Sequence, residues 1–313
     1  MTNSQWSSPA EKIHITVPWV NSMKNMAVFI RLARPHQYLK NGFIFLPLFF
    51  SYQLTHWQSL LRVTLSFLVF CLAASSVYVL NDLKDIQDDR LHPVKKNRPL
   101  ASGRISEKQG VWFALVLILM SMSFWYFLKK QTILIFLAYA AMNGIYSIRL
   151  KHIAVVDVTC IAIGFVLRIL IGTVQADLPT SHWIILMTFL LAMFLALAKR
   201  RDDLILQEKD NSKLRSSMDG YNLEFVSLSM LLMAGVTVVS YIMYTVSPEV
   251  VSRYNNEYIY LTTFWVIMGI MRYFQIALVE KNSGSPTQIL WKDAFIKIVL
   301  LGWILSYFII MYV

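Results

Sequence analysis

The chain has 313 residues, of which 57% are hydrophobic and only 15% are charged, and its mean hydropathy is +0.52. These values exclude an ordinary soluble enzyme and indicate a protein that crosses a membrane several times. The net charge of +11 would suggest a nucleic acid partner for a soluble protein. In a membrane protein it is typical of basic cytoplasmic loops, so we expect the bilayer, and no nucleic acid, as a partner.

The N-terminal region is polar. Residues 1–23 are expected to form a loose tail with no cleavable signal peptide, because they contain no apolar run of signal length. Residues 24–34 are predicted to form a short basic amphipathic helix at the membrane surface. We expect residues 24–313 to form a single transmembrane domain, because the links between its apolar segments are too short for a second one.

Apolar segments near the length that a bilayer core requires, about 20 residues, recur along the rest of the chain. They predict an all-α protein, a bundle of nine transmembrane helices with loop helices over its cytoplasmic end. The predicted spans are residues 39–55, 60–80, 107–127, 132–149, 154–174, 182–200, 224–245, 257–278 and 291–312.

The distribution of basic residues predicts the orientation. Most of the 29 Lys and Arg residues lie in the N-terminal segment and in the links that follow the even-numbered spans. The positive-inside rule therefore predicts a multi-pass protein of the cell (inner) membrane with its N-terminus in the cytoplasm. All the charged clusters then fall on the cytoplasmic side, which predicts one site that faces the cytoplasm.

A polar cluster follows the second predicted span directly. Asn81, Asp85 and Asp89 are spaced four residues apart, which predicts one stripe of a helix, with Asp82 one turn from Asp85. Carboxylate and amide oxygens suit a hard divalent cation such as Mg²⁺.

Basic residues follow this acidic cluster. Arg90, Lys95 and Arg98 suit phosphate oxygens, so that the two groups together are typical of a Mg²⁺–diphosphate site. The alternative is a solvated loop of mixed charge between two helices. The direct continuation from a membrane span and a second polar cluster further along the chain favour the site.

Two further clusters lie at predicted span ends. Asp203 could supply another oxygen to the metal and Lys199 could hold a phosphate, although a surface ion pair at the end of the sixth span would look the same. Tyr146 and Lys151 could point a hydroxyl and an ammonium group at a phosphate, although a tyrosine at a membrane boundary is often an interfacial anchor.

Arg168 lies in the middle of an apolar span. A guanidinium group there is costly, so we expect it to face the bundle interior and to have a partner. Asp157, three helical turns away on a similar face, is the candidate partner. Whether Arg168 stabilises the bundle or lines a substrate cavity is left open.

The acidic cluster resembles a known motif. Asn81-Asp82-x-x-Asp85-x-x-x-Asp89 is similar to the first aspartate-rich motif of the UbiA superfamily of intramembrane prenyltransferases, which have nine transmembrane helices. Within that superfamily the likeness is greatest to the decaprenyl-phosphate phosphoribosyltransferase subgroup. Further likeness lies in residues 34–41, 78–103, 146–158 and 198–203.

The resemblance implies a Mg²⁺-dependent transferase, a phosphoribosyltransferase that moves a 5-phosphoribosyl group from phosphoribosyl diphosphate (PRPP) to a polyprenyl phosphate lipid and releases diphosphate. Its product would be a precursor of cell wall polysaccharide. Many UbiA-type enzymes have a second Asp-x-x-x-Asp motif, whereas here Lys199 stands at the first position and Asp203 remains. The exchange suits a donor that carries an additional 5-phosphate.

The candidate residues fall into two groups. The expected metal ligands are Asn81, Asp82, Asp85, Asp89 and Asp203, and the four aspartates among them are the expected catalytic residues. The expected substrate-binding residues are Arg34, Lys40, Asn41, Lys84, Arg90, Lys95, Arg98, Tyr146, Lys151, Asp157, Arg168, Lys199 and Arg200.

Two other functions are compatible with the sequence. A UbiA-type enzyme could use a prenyl diphosphate donor and an aromatic or haem acceptor. A transporter could use Arg168 and Asp157 as a charge pair inside the membrane. The sequence leaves open whether the protein is a monomer or a homo-oligomer.

Overall fold

The computed structural model describes residues 18–91, 94–210, 219–280 and 286–312, and these residues form helices without strands. The all-α prediction is therefore confirmed. The α-helices are α1 (Pro18–Ala33), α2 (Tyr38–Asn41), α3 (Leu46–Phe50), α4 (Trp57–Lys84), α5 (Ile86–Leu91), α6 (Glu107–Ser123), α7 (Lys130–Ile148), α8 (Val156–Gln175), α9 (His182–Asp210), α10 (Leu223–Thr245), α11 (Pro248–Tyr254), α12 (Thr263–Phe274), α13 (Pro286–Lys292) and α14 (Ala294–Tyr312).

Seven helical segments of the described chain are long and apolar enough to cross a membrane, and they match the second to eighth predicted spans. The ninth predicted span corresponds to a shorter apolar helix, 294–310. Large apolar side chains such as Leu119 and Leu232 point outwards and are more than half exposed, as expected for helices that contact lipid. The described residues thus contain fewer long spans than the nine predicted.

The first predicted span, residues 39–55, is not a continuous helix. It consists of α2, a 3-10 turn over Gly42–Phe45, and α3. Gly42 lowers helix propensity, and Pro47 has no N–H for the helical ladder and stands in the first turn of α3. A single straight span over these residues was therefore the wrong prediction.

The broken segment is held by α8. A Cβ atom built on Gly172 of α8 would lie 1.9 Å from the carbonyl oxygen of Ile44, so only a glycine allows the two backbones to come this close. Ile44 and Leu48 are fully buried there with Ile171, in a core shared with α4 and α7. Small residues that permit close backbone contact are typical of helix packing inside membranes, where lipid removes most of the hydrophobic driving force.

The N-terminal helix is longer than predicted. Helix α1 begins at Pro18 rather than near residue 24, so residues 18–23 of the expected tail (residues 1–23) are helical, and residues 1–17 lie outside the described residues. Phe29 of α1 packs against Phe113 of α6, with ring centroids 5.1 Å apart. Arg34 follows in a left-handed conformation with φ of 56°, which turns the chain from α1 towards α2.

The contact between Gly172 and Ile44 gives a first prediction. Gly172→Ala should cost more than about 4 kcal/mol of stability, because the added methyl group meets backbone that cannot move aside. Gly235→Ala is the matched control, since a Cβ there meets nothing within 4 Å. Its stability should change by less than about 1 kcal/mol. Thermal unfolding of both variants in detergent measures this, and equal melting temperatures would contradict the close approach.

Candidate active site

The acidic cluster lies at the junction of two helices. Helix α4 ends at Lys84, Asp85 is its C-cap, and α5 begins at Ile86. The Asp85 N–H donates to the Asn81 carbonyl (3.0 Å) and the Asp89 N–H donates to the Asp85 carbonyl (2.8 Å), so four-residue hydrogen bonding continues across the junction. The predicted single helix is thus two helices.

Arg98 joins two of these carboxylates. Its Nη1 atom lies 3.0 Å from Oδ1 of Asp82 and 2.5 Å from Oδ2 of Asp89. Asp82 and Asp89 are seven residues, or two turns, apart, which points them in the same direction. Arg34 pairs with the same oxygen of Asp82 and lies over the ring of Tyr78. Two buried acids therefore meet the basic groups of two separate segments.

The third cluster contacts the same helix end. Nζ of Lys151 lies 2.8 Å from Oδ1 of Asp85, and Nζ of Lys84 donates to the carbonyl of Ser147 over 2.7 Å. These bonds join the end of α4 to the end of α7 and the turn after it. The sequence predicted that both segments belong to one site, and the structure brings them into direct contact.

The second cluster is built around a buried ion pair. Nε of Arg200 lies 2.7 Å from Asp157, Nη1 lies 2.8 Å from Asp203, and the Arg200 side chain is 1% exposed. Tyr146 lies near Arg200. Asp203 is more accessible than Asp157 and remains available to the site. Arg200 thus pairs with Asp157 and Asp203 and does not face solvent.

Tyr221 completes this network, and the sequence analysis missed it. Its hydroxyl donates to Asp157 over 2.6 Å and accepts the N–H of Val155 over 2.6 Å. Burial and the hydrogen bond to Asp157 raise the pKa of Tyr221 well above its usual value, so it stays protonated as a donor. A lone tyrosine in a polar link has no spacing that could have revealed this contact.

Val155 is held in an unfavourable conformation. Its φ is 68°, which is rare for a β-branched residue and costs about 1–3 kcal/mol. A Cβ on Gly220 would lie 2.6 Å from the Ala154 side chain, so the chain before Tyr221 packs directly on the turn that carries Lys151. The Tyr221 contacts stabilise this turn and thereby the position of Lys151.

Arg168 faces the bundle interior, as predicted, and is 4% exposed. Its partners are the Asn41 side chain at 3.0 Å, the Gly164 carbonyl at 2.7 Å and the Tyr139 hydroxyl at 3.3 Å. Its guanidinium also lies over the rings of Phe70, Tyr139 and Phe165. The expected pairing with Asp157 is wrong, because Asp157 pairs with Arg200 from α9.

Further cations lie beside the carboxylates. Lys40 is close enough to Arg34, Arg168 and Lys199 for their charges to act on it. Arg90 is exposed, and its Nε donates to the Ala101 carbonyl over 3.3 Å. Lys95 is partly buried in a short 3-10 helix that precedes Arg98. This end of the bundle is therefore rich in cationic side chains.

The donor atoms fit a hard divalent cation in type but are not gathered around one point. Among the residues that the structure describes, no group of three or more His, Cys, Asp or Glu side chains is placed to hold a metal ion. The ion pairs explain this arrangement, because a guanidinium or ammonium group contacts each candidate aspartate. Asn81 and these aspartates supply oxygen ligands of the kind that Mg²⁺ prefers.

Comparison with known proteins identifies the family. The profile of the UbiA prenyltransferase family matches residues 43–299, which is most of the chain. The chain belongs to the UbiA prenyltransferase family. The matched region contains both the acidic cluster that begins at Asn81 and the pair of Lys199 and Asp203.

Two relatives within the UbiA family have a named activity. The chain is 30% identical to a decaprenyl-phosphate phosphoribosyltransferase from Mycolicibacterium smegmatis over 92% of this chain and 93% of the relative. It is 28% identical to a decaprenyl-phosphate phosphoribosyltransferase from Mycobacterium tuberculosis over 89% of this chain and 92% of that protein.

The fold is also shared with a solved structure. A UbiA homolog from Archaeoglobus fulgidus, bound to GPP and Mg²⁺, superposes with a TM-score of 0.69 and covers 91% of this chain and 100% of its own. At 20% identity this likeness shows the UbiA fold alone.

The buried network around Tyr221 gives a second prediction. Tyr221→Phe should cost about 1–3 kcal/mol, because it keeps the ring but leaves Asp157 and the Val155 N–H each without one partner. Asp157→Asn should cost more, about 3–5 kcal/mol, because it removes a buried counter-charge of Arg200. Tyr126→Phe is the control, since Tyr126 is 90% exposed. If unfolding in detergent showed all three variants to be equally stable, the network would not stabilise this end of the bundle.

Proposed function

We propose that the protein transfers a 5-phosphoribosyl group from PRPP to a polyprenyl phosphate of the decaprenyl type and releases diphosphate. The observation that carries this proposal is the interleaving, at one end of the bundle, of carboxylates from α4, α5 and α9 with cations from α9 and from the loops after α5 and α7. The relatives named as phosphoribosyltransferases support PRPP as the donor.

The acidic residues have one role in this reaction. Asn81, Asp82, Asp85, Asp89 and Asp203 would hold Mg²⁺, and the cation would supply positive charge to the diphosphate leaving group. The Mg²⁺ bound to the Archaeoglobus homolog supports a metal in this fold.

The basic residues have a different role. Arg98 and Lys151, which now contact carboxylates, can turn to phosphate oxygens of the donor. Arg34, Lys40 and Lys199, whose charges lie near one another, would hold the acceptor phosphate or the donor's 5-phosphate. Orientation by several fixed cations favours reaction because the attacking oxygen and the sugar are held in place.

The chemistry needs no strong general base. The acceptor is a phosphate monoester, which is already ionised near neutral pH. One of its oxygens forms a bond to the anomeric carbon of the ribose while the bond from that carbon to the diphosphate oxygen breaks. A single displacement of this kind inverts the configuration at the anomeric carbon.

An apolar cavity offers room for part of the lipid. It has a volume of about 300 Å³, and Tyr38, Leu68 and Phe124 are among the residues that line it. Tyr38 binds Ser75 on α4 and lies two residues before Lys40, so the cavity begins beside the cation-rich end of the bundle. We expect isoprene units of the acceptor to lie there with the phosphate towards Lys40.

Both substrates would meet on the cytoplasmic side of the membrane. Soluble PRPP would enter from the cytoplasm, and the polyprenyl phosphate would enter from the bilayer. The excess of Lys and Arg in the links on the side of the site supports this orientation.

The function is tested with labelled donors. Purified protein with Mg²⁺ and decaprenyl phosphate should transfer label from PRPP into the lipid fraction, and EDTA should stop the transfer. A parallel reaction with labelled geranyl diphosphate and an aromatic acceptor tests the other UbiA chemistry, which the GPP-bound homolog favours. Label from geranyl diphosphate alone would replace the proposed function with prenyl transfer.

The role of the acidic cluster is tested by substitution. Asp85→Ala should lower kcat at least about 100-fold, because the site loses a carboxylate that would hold the Mg²⁺ ion, and this ion offsets the negative charge on the leaving diphosphate. Asp88→Ala is the matched control, since Asp88 is an exposed acid on the neighbouring α5 and should retain near-normal turnover. Size-exclusion profiles check that both variants fold. Near-normal turnover of Asp85→Ala would remove this residue from the mechanism.

A further inference from the structure

The carboxylates that the proposed function assigns to a metal are occupied in this structure. Asp82 pairs with Arg34 and Arg98, and Asp89 pairs with Arg98 as well. Asp85 pairs with Lys151. A divalent cation would therefore compete with basic side chains for the same oxygens.

Arg98 occupies the central position among these pairs. A single nitrogen, Nη1, contacts one oxygen of Asp82 and one oxygen of Asp89. The two oxygens thus face a common point in space, and a positive charge already lies there. This contact explains in physical terms why suitable oxygen donors do not form a ready metal site.

The exposure of the paired side chains indicates which of them can move away from the ion pair. The side chains of Asp82 and Asp89 are 4% and 5% exposed, whereas the side chain of Arg98 is 29% exposed. Arg98 follows the short 3-10 helix over Lys95–Asn97 rather than a long helix. The carboxylates are fixed at the helix junction, and the guanidinium group can turn towards solvent.

A metal alone gains little from this exchange. It would displace Arg98 from two carboxylates and leave the guanidinium without an anionic partner. Diphosphate supplies that partner, because a guanidinium binds phosphate oxygens at least as well as carboxylate oxygens. Each of the two ligands therefore removes an obstacle to binding of the other.

We propose that Arg98 is an internal counter-ion that holds the cation position between Asp82 and Asp89, so that a divalent cation and a diphosphate bind as a cooperative pair. This inference rests on the proposed function for its choice of ligands. Cooperativity of this kind is a coupling free energy and is reciprocal, so that each ligand must raise the affinity of the other by the same factor.

The test uses the full chain in lipid nanodiscs, with Mn²⁺ as the metal and inorganic pyrophosphate as the diphosphate. Electron paramagnetic resonance measures free Mn²⁺, and calorimetry measures pyrophosphate binding. The affinity of Mn²⁺ for pyrophosphate in solution is measured without protein, and it completes the thermodynamic cycle. Saturating pyrophosphate should tighten Mn²⁺ binding at least about tenfold beyond the solution complex, and Mn²⁺ should tighten pyrophosphate binding equally.

Two charge-removing variants isolate Arg98. Arg98→Gln should bind Mn²⁺ alone more tightly than the wild type does, and its coupling to pyrophosphate should fall by about tenfold. Arg104→Gln removes the same charge from an exposed residue of the same loop and should change neither quantity by more than about twofold. Equal effects of the two variants would reduce the result to net charge and overturn the inference.

Arg98→Lys covers the case in which Arg98→Gln does not fold. Lysine keeps the charge but lacks the planar guanidinium group. The coupling between Mn²⁺ and pyrophosphate in Arg98→Lys should therefore be weaker than in the wild type but still measurable. Wild-type coupling in Arg98→Lys, or wild-type Mn²⁺ binding that is the same with and without pyrophosphate, would overturn the inference.

These measurements involve neither PRPP nor lipid acceptor. Coupled binding together with a failure to transfer label from PRPP would reject the proposed function and leave the role of Arg98 in place. Transfer from PRPP with independent binding of Mn²⁺ and pyrophosphate would do the reverse.

Discussion

Burial of a charged side chain at the end of an apolar helix bundle is costly unless an opposite charge or hydrogen bonds compensate for it. This constraint explains the architecture of the site. Asp82 and Asp89 join the α4–α5 junction to the loop of Arg98, and Arg200 joins α9 to Asp157 at the start of α8. The bonds that satisfy these charges connect segments far apart in sequence. The packing of the bundle end and the arrangement of candidate ligands therefore have the same physical cause.

The buried charge of Arg168, in the bundle interior, is stabilised without an anionic partner among the described residues. Arg168 has neutral partners, the Asn41 amide and the Tyr139 hydroxyl, and lies over three aromatic rings. Ring faces and amide dipoles stabilise a cation without neutralising it, so its field extends to Lys40. An excess of positive charge is thus built into the part of the bundle nearest to the apolar cavity, where a lipid phosphate would be attracted.

Much of the fold could be predicted because a bilayer requires long apolar helices, and seven of the predicted spans follow from that rule alone. The interior position of Arg168 was predictable for a similar reason, the cost of its charge in lipid. Its hydrogen-bonding side chains were not predictable, since helical spacing suggested Asp157 on the same helix, whereas Asn41 and Tyr139 come from other segments. The clusters at Asn81 and Lys199 marked the site in sequence, but the pairing of each acid with a base depends on tertiary packing. Tyr221 carried no signal at all.

The broken first segment has a consequence for biogenesis. Gly42 and Pro47 interrupt the helix in the first predicted span, so this segment is not a continuous apolar helix of membrane-spanning length. Gly172, against which Ile44 packs, is synthesised more than a hundred residues later. Ile44 and the broken segment that carries it can therefore reach their packed position only after α8 has been synthesised.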